Sequence, residues 1–285
     1  MNEPLVSVLM TAYNREKFIS EAIESVLVST YKNIELIIVD DCSVDDTVKI
    51  AQSYALIDTR IRLIVNEINL GDYPNRNKAL SLSKGEYCMF VDSDDKILIN
   101  GIQNCVKQMK LFPEAAFGIF STKMSNIKLL NSNEAFQLHF FNQPFLIVGP
   151  GGTIQKTDFA KRIGGYPVKY GPANDMYYHL KVACHTPIVL LHFDFIYYRR
   201  HDGQEINNHY SYLYNNYNYL QDALTELPMP LSSNEKKWIE KKNKRRFLTN
   251  ILRFYLRTLN LKKTLGAIHE AKFSLKSALE GIFQI

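Results

Sequence analysis

The chain has 285 residues, is 46% hydrophobic and 22% charged, and carries a formal net charge of +5. That length can bury a sizeable core. The positive charge is local: residues 236–276 hold 13 Lys or Arg against Glu240 and Glu270, and the remainder has 21 basic and 27 acidic residues, which excludes a uniformly basic nucleic-acid binder. Four scattered cysteines, Cys42, Cys88, Cys105 and Cys184, form no short pair, so a zinc site and a disulfide framework are excluded and a reducing, cytosolic setting is expected. No stretch supplies about 18 uncharged apolar residues for a membrane span. MNEPLVSVLM reads as a first strand rather than a signal segment.

In chain order, VSVLMTAY, ELIIVDD, RIRLIVNE and EYCMFVDSDD read as strands. Between them lie segments of helical period, the first with Phe18, Ala22, Ile23, Val26 and Leu27 on one face. Strands alternating with helices predict βαβ units and a mainly parallel sheet, whose ligands gather outside the carboxyl ends of the strands. Past Pro113, AAFGIFSTKM reads as a strand, and FLIVGPGGTIQKTDFAKRIGGY as a strand, a glycine-rich turn and a short helix closed by Gly164-Gly165. NDMYYHLKVAC has helical spacing, PIVLLHFDFIYYRRH reads as one long strand, and from about residue 205 the pattern is helical and then basic.

Four polar clusters follow the first four strands: Thr11 to Asn14, Asp40-Asp41, Asn66-Glu67 and Asp92 to Asp95. Asp92-Ser93-Asp94-Asp95 sets hard oxygen ligands at the end of a buried strand, where their repulsion must be relieved by a cation, by helix capping or by an ordered turn. Three acids exceed the need of a cap, which favours Mg²⁺ or Mn²⁺. Asp41 could accept from a nucleobase ring N–H with Tyr13 stacking nearby, whereas Asp45 and Asp46 read as structural acids beside a helix starting near Thr47. In NLGDYPNRNKAL, Arg76 sits at a loop-to-helix junction suited to phosphate, or to plain solvation. Asp175 opens a helix as a first-turn acid or a general base. His201 reads as a metal ligand, a phosphate contact or a polar strand end.

Taken together, SVLMTAYNREKFISEAIESVLVSTYKNIELIIVDDCSVDDT, NLGDYPNRNKAL, SKGEYCMFVDSDD, and IGGY followed by ND resemble the family-2 inverting glycosyltransferases of the GT-A fold, of bacterial surface-polysaccharide type. The likeness runs from about Val6 to His201. It implies an α/β nucleotide-diphospho-sugar transferase fold, a mixed, mainly parallel sheet flanked by helices with a C-terminal helical extension. It also implies transfer of one sugar from a nucleotide diphosphate sugar, expected to be UDP-linked, to the hydroxyl of a saccharide or lipid-linked saccharide. By position, Thr11, Tyr13, Asp41, Arg76, Asp92 and Ser93 would bind the nucleotide; Asp94, Asp95 and His201 would hold Mn²⁺ or Mg²⁺; Asp175 would be the catalytic base.

Two departures qualify the likeness. Asn174-Asp175 stands where the family often has Glu-Asp, and the Gln-x-x-Arg-Trp segment of processive relatives is absent. A sugar nucleotidyltransferase would need a glycine-rich loop after the first strand, which TAYNREKF does not supply; a non-catalytic nucleotide-sugar binder or scaffold is the other alternative. The expected division is a catalytic domain at 1–204 (nucleotide half about 1–112, acceptor half about 113–204) and a basic helical extension at 205–285. Trp238, Phe247, Ile251, Leu252, Phe254 and Leu256 among the basic residues of 236–276 suggest peripheral contact with an anionic membrane, on the inner face of the cytoplasmic membrane. No nucleic-acid partner is expected.

Overall fold

A computed structural model describes residues 3–121, 128–202, 204 and 208–283. Its contacts divide the chain into two compact units interleaved in sequence: Met1–Asn131, Phe145–Tyr166 and His185–Arg200 in the first; Ser132–Pro144, Pro167–Cys184 and His201–Ile285 in the second.

The first unit is built on the expected alternation. β1 (Val6–Ala12), α1 (Ile19–Leu27), β2 (Ile34–Asp40), α2 (Thr47–Ile57), β3 (Ile61–Val65), α3 (Asp72–Leu82) and β4 (Tyr87–Phe90) follow one another, with β3, β2, β1 and β4 side by side and parallel. Val6, Val8, Leu9 and Met10 are all buried, as are Tyr87 to Phe90, because both faces of the sheet are covered. The order 3-2-1-4 reverses direction at β1, so the carboxyl ends of β1 and β4 flank the crevice where open α/β sheets bind ligands.

After β4 come β5 (Lys96–Ile97), α4 (Gly101–Leu111), β6 (Phe117–Phe120), β7 (Lys128–Leu130), β8 (Thr153–Lys156), α6 (Thr157–Arg162), β9 (Ile188–Leu191) and β10 (Ile196–Tyr197); α5 (Ser132–Gln137) belongs to the second unit. The sheet continues β4-β8-β6-β9-β7, with β8 antiparallel to both β4 and β6 and β9 parallel to β6. It is the mixed, mainly parallel GT-A sheet expected. Thr122, Lys123 and Met124, read as the end of the β6 strand, lie outside the described residues.

Three details correct the sequence reading. Phe145–Val148 is a turn, not a strand: Phe145 and Leu146 are apolar because they are buried. The strand is the polar Thr153–Lys156, which pairs on both sides despite its weak pattern. PIVLLHFDFIYYRRH is broken after Leu191, because the chain leaves the sheet to pair β10 with β5, Leu98 N donating to Phe195 O at 2.9 Å. Finally, α3 begins at Asp72, so Arg76 lies inside a helix rather than at its mouth.

The glycine pair after α6 is required by geometry. Gly164 and Gly165 have φ of +83° and +62°, a region that costs an L-residue its Cβ clearance. A Cβ on Gly165 would stand 2.5 Å from Asn77 Oδ1. That oxygen accepts from Tyr166 N at 2.9 Å while Asn77 Nδ2 donates to Tyr166 O at 2.8 Å, pinning the turn to α3.

The second unit is helical: α5 (Ser132–Gln137), a π-helical turn at Leu138–Asn142, α7 (Asn174–His185), α8 (His209–Glu226), α9 (Ser233–Thr258), α10 (Leu261–Glu270) and α11 (Leu275–Phe283). Ser232 and Glu235 form a capping box that starts α9. Tyr217, Phe247, Ile251, Ala267 and Ala271 make a small core joining α8, α9 and α10. Among the described residues no helix is long and apolar enough to cross a membrane.

Candidate active site

The loops after β1 and β2 are locked together. Asn14 and Cys42 take φ of +52° and +67°, turning each strand end sharply. Asn tolerates this conformation, and Asn14 spans the loops: its N–H donates to Ser43 Oγ at 2.9 Å and its Oδ1 accepts from Val44 N at 2.9 Å. Asp40 is turned inward onto Ser43, and Asp45 accepts from Thr47 N at 3.0 Å and Glu16 N at 3.1 Å, so both acids are structural. Thr11 is half-buried near the end of β1, and Tyr13 is 46% exposed.

Asp41 organises the neighbouring loop. Its carboxylate accepts from Asn66 Nδ2 and Leu70 N at 2.8 Å and from Gly71 N at 2.9 Å. Gly71, at φ +88°, delivers its N–H there and then opens α3. A carboxylate offers about four acceptor positions, and these donors occupy three of them.

The acidic run forms a turn closed by Asp95 N donating to Asp92 O at 2.9 Å. Because β5 intervenes before α4 starts at Gly101, these acids do not cap that helix. Asp92, Asp94 and Asp95 each present a ligand atom within 4.8 Å of the others, while Ser93 is buried between them. Each carboxylate meets a donor: Arg76 Nη1 on Asp92 at 2.6 Å, Arg15 Nε on Asp94 at 3.0 Å, and Arg199 N on Asp95 at 2.9 Å. Burial, then the charge of Asp92, pushes the Asp95 carboxyl up to about 7. Arg76 also grips Asp72 at 2.8 Å and lies over the Phe90 and Tyr73 rings. Burial opposes its charge, yet Asp72 and Asp92 hold its guanidinium well above the usual value.

Three hard carboxylates so close together suit a small divalent cation rather than a soft metal. The donor set therefore fits Mg²⁺ or Mn²⁺.

Thr11, Tyr13, Asp41, Arg76, Asp92, Ser93, Asp94 and Asp95 belong to the first unit; Asp175 and His201 belong to the second. Asp175 lies in the first turn of α7, is buried, and accepts from Met176 N at 2.7 Å. The Asn174 departure has a structural account: its Oδ1 accepts from Tyr170 N at 2.9 Å and its Nδ2 donates to Gly171 O at 2.7 Å, closing the turn that launches the helix. His201 N donates to Gln204 Oε1 at 3.0 Å.

The model of the family described as "Glycosyl transferase family 2" matches residues 7–153, the stretch holding the first four strands and the acidic turn. The chain belongs to this family. One relative, from Escherichia coli, is named UDP-Glc:alpha-D-GlcNAc-diphosphoundecaprenol beta-1,3-glucosyltransferase WfaP, and is 43% identical over 106 residues, which is 37% of this chain and 41% of that protein. The chain thus spans less than half the length of that relative. S. aureus TarS 1–349 in complex with UDP-GlcNAc has the same fold, with a TM-score of 0.73 at 20% identity over 93% of this chain and 80% of that one. A mannosyltransferase from Pyrobaculum calidifontis, in complex with GDP-Man and Mn²⁺, aligns with a TM-score of 0.61 at 14% identity over 99% of this chain and 88% of that one.

The sequence reading missed Arg15 and Arg199, and it placed Asn66 at the strand edge without its Asp41 partner. Arg15 is 79 positions from Asp94, and the Arg199 backbone N–H is 104 from Asp95. No local pattern signals such pairings.

Proposed function

We propose that this protein is a metal-dependent, inverting glycosyltransferase that moves one sugar from a UDP-linked donor to the hydroxyl of a saccharide or lipid-linked saccharide in surface-polysaccharide synthesis. The observation that carries it is the Asp92, Asp94 and Asp95 cluster, within 4.8 Å, at the switch point beside Tyr13, Asp41 and Arg76. Tyr13 stacks on the base, with Thr11 lining the pocket, and the remaining acceptor position of Asp41 takes the ring N–H. Asp92 and Ser93 face the ribose, and Arg76 fixes Asp92 and adds positive charge toward the diphosphate. Asp94 and Asp95, with His201, would hold Mn²⁺ or Mg²⁺, which supplies charge neutralisation for the departing diphosphate. Asp175 takes the proton of the acceptor hydroxyl as that oxygen attacks the anomeric carbon. The stretch 1–204 is read as the catalytic domain, a functional division rather than the packing division of the fold.

The UDP-bound TarS and the diphosphoundecaprenol acceptor in the name of the E. coli relative support the choice of donor and acceptor class. A lipid-linked acceptor requires access to a membrane surface, and the basic stretch 236–276 supports peripheral contact with an anionic leaflet on the cytoplasmic side. Leu252, Leu256, Leu259, Leu261 and Leu265 there are each more than half exposed. Trp238 and Leu256 are five helical turns apart on α9 and so share one face, with Leu252 close to it. The excess of 13 basic residues over Glu240 and Glu270 in this stretch would repel a second copy and attract an anionic surface.

The test is calorimetric titration of UDP with Mn²⁺, Mg²⁺ or chelator, followed by a transfer assay with UDP-sugars. Metal-dependent UDP binding with turnover is the expected result. Failure to bind any nucleotide would overturn the reading, and binding without turnover would convert it to a non-catalytic nucleotide-sugar binder or scaffold.

A further inference from the structure

We infer that Arg15 is a built-in counter-cation for Asp94 which a divalent ion must displace, so that metal and nucleotide diphosphate bind as a coupled pair. The inference rests on the metal-dependent reading above and adds to it a residue that sets the order and strength of binding.

The three carboxylates of the acidic turn are neutralised in unequal ways. Asp92 is held by Arg76, whose side chain is 8% exposed, clamped by Asp72 and covered by the Phe90 and Tyr73 rings. Asp95 accepts from the main-chain N–H of Arg199, which cannot leave without moving β10 and its continuation. Asp94 instead meets Arg15 Nε at 3.0 Å, a side-chain group 26% exposed on the loop after β1. Of these three donors, only Arg15 can swing away by side-chain rotation alone.

The backbone of Arg15 cannot follow such a movement. Its N–H donates to Thr47 Oγ1 at 2.7 Å, and its carbonyl accepts from Phe18 N at 2.9 Å and Ile19 N at 3.0 Å. Its Nη1 rests on the Tyr13 and Asn14 carbonyls at 3.1 and 3.2 Å, weak neutral acceptors that a guanidinium would exchange for a phosphate oxygen. A cation ligated by Asp94 and the Arg15 guanidinium repel each other at this range, so a bare ion binds against that charge. When the ion arrives with a diphosphate, the released guanidinium gains an anionic partner beside the base-stacking Tyr13. Whatever the diphosphate does for metal affinity, the metal does equally for diphosphate affinity.

The experiment is calorimetry of Mn²⁺ alone, UDP alone and Mn²⁺ with saturating UDP, on the wild-type protein, Arg15→Ala and Arg15→Gln. Gln keeps a donor for the loop carbonyls but carries no charge, and thermal melts confirm that each variant is folded. Both variants are expected to bind Mn²⁺ alone about tenfold more tightly than wild type, and the gain in Mn²⁺ affinity brought by UDP should shrink by a similar factor. Unchanged or weaker Mn²⁺ binding in both variants, with wild-type Mn²⁺–UDP binding intact, overturns the role of Arg15 and leaves the transferase reading standing. Wild-type protein that binds neither Mn²⁺ nor UDP overturns both.

Discussion

Two parts of this molecule concentrate like charge, and they relieve it in opposite ways. In the first unit, Asp92, Asp94 and Asp95 are packed within 4.8 Å and each is met by a donor from a distant part of the chain. In the second, 13 basic residues lie along 236–276 with Glu240 and Glu270 as the acids of the stretch. Lys244 there is paired with Glu240 and Glu280, but the side chains of α9 to α11 largely face water, interleaved with exposed leucines. Charge neutralised in place belongs to a site that holds its shape for a small ligand. Charge left open beside apolar side chains fits an extended surface of opposite sign.

The comparison breaks most sharply at Asp94. Asp94→Ala should abolish metal-dependent UDP binding and reduce kcat/KM on the order of 10³-fold, the scale of losing charge stabilisation at a leaving group. Titration with and without chelator, beside steady-state kinetics, checks it. Asp175→Asn separates binding from chemistry: UDP affinity should hold while kcat falls about 10²- to 10⁴-fold, the usual contribution of a general base.

The open surface is tested by sedimentation with vesicles. Leu252, Leu256 and Leu265 changed together to Ser should lower partitioning onto anionic vesicles by at least about tenfold, since each leucine taken from water contributes on the order of 1.5–3 kcal/mol. Wild-type binding should itself weaken with salt and vanish on neutral vesicles. Equal binding to both vesicle types would remove the electrostatic half of the argument.

The smallest effect concerns pH. His139 is buried, and that burial, aided by electrostatic repulsion from the nearby His179, Arg246 and Lys242, pushes its pKa down from 6.5 to about 3. Between these values the unfolded chain takes up a proton that the folded chain refuses. Stability present above about pH 6.5 therefore declines as pH falls toward 3, by at most about 1.4 kcal/mol per pH unit. Melting temperatures at pH 7 and pH 5, compared with those of His139→Gln, should show a slope that the variant reduces.

Residue pattern alone determined the first four strands, their parallel direction and the grouping of Tyr13, Asp41 and Asp92–Asp95 at one edge. Strands buried on both faces leave continuous apolar runs, and the shared chain direction brings the residues just past each run to the same edge. The stretch that holds them is the one matched by the family. Tertiary structure decided the rest. Thr153–Lys156 is a strand because β4 and β6 both hydrogen-bond to it, not because its side chains alternate. The strand read through His192–Phe195 breaks because β10 finds its partner in β5 outside the main sheet. Arg15 and Arg199 meet the acidic turn across 79 and 104 positions. A sequence window registers local periodicity and strand ends, whereas the partner of a buried charge is fixed only when the folded backbone brings distant segments within hydrogen-bond reach.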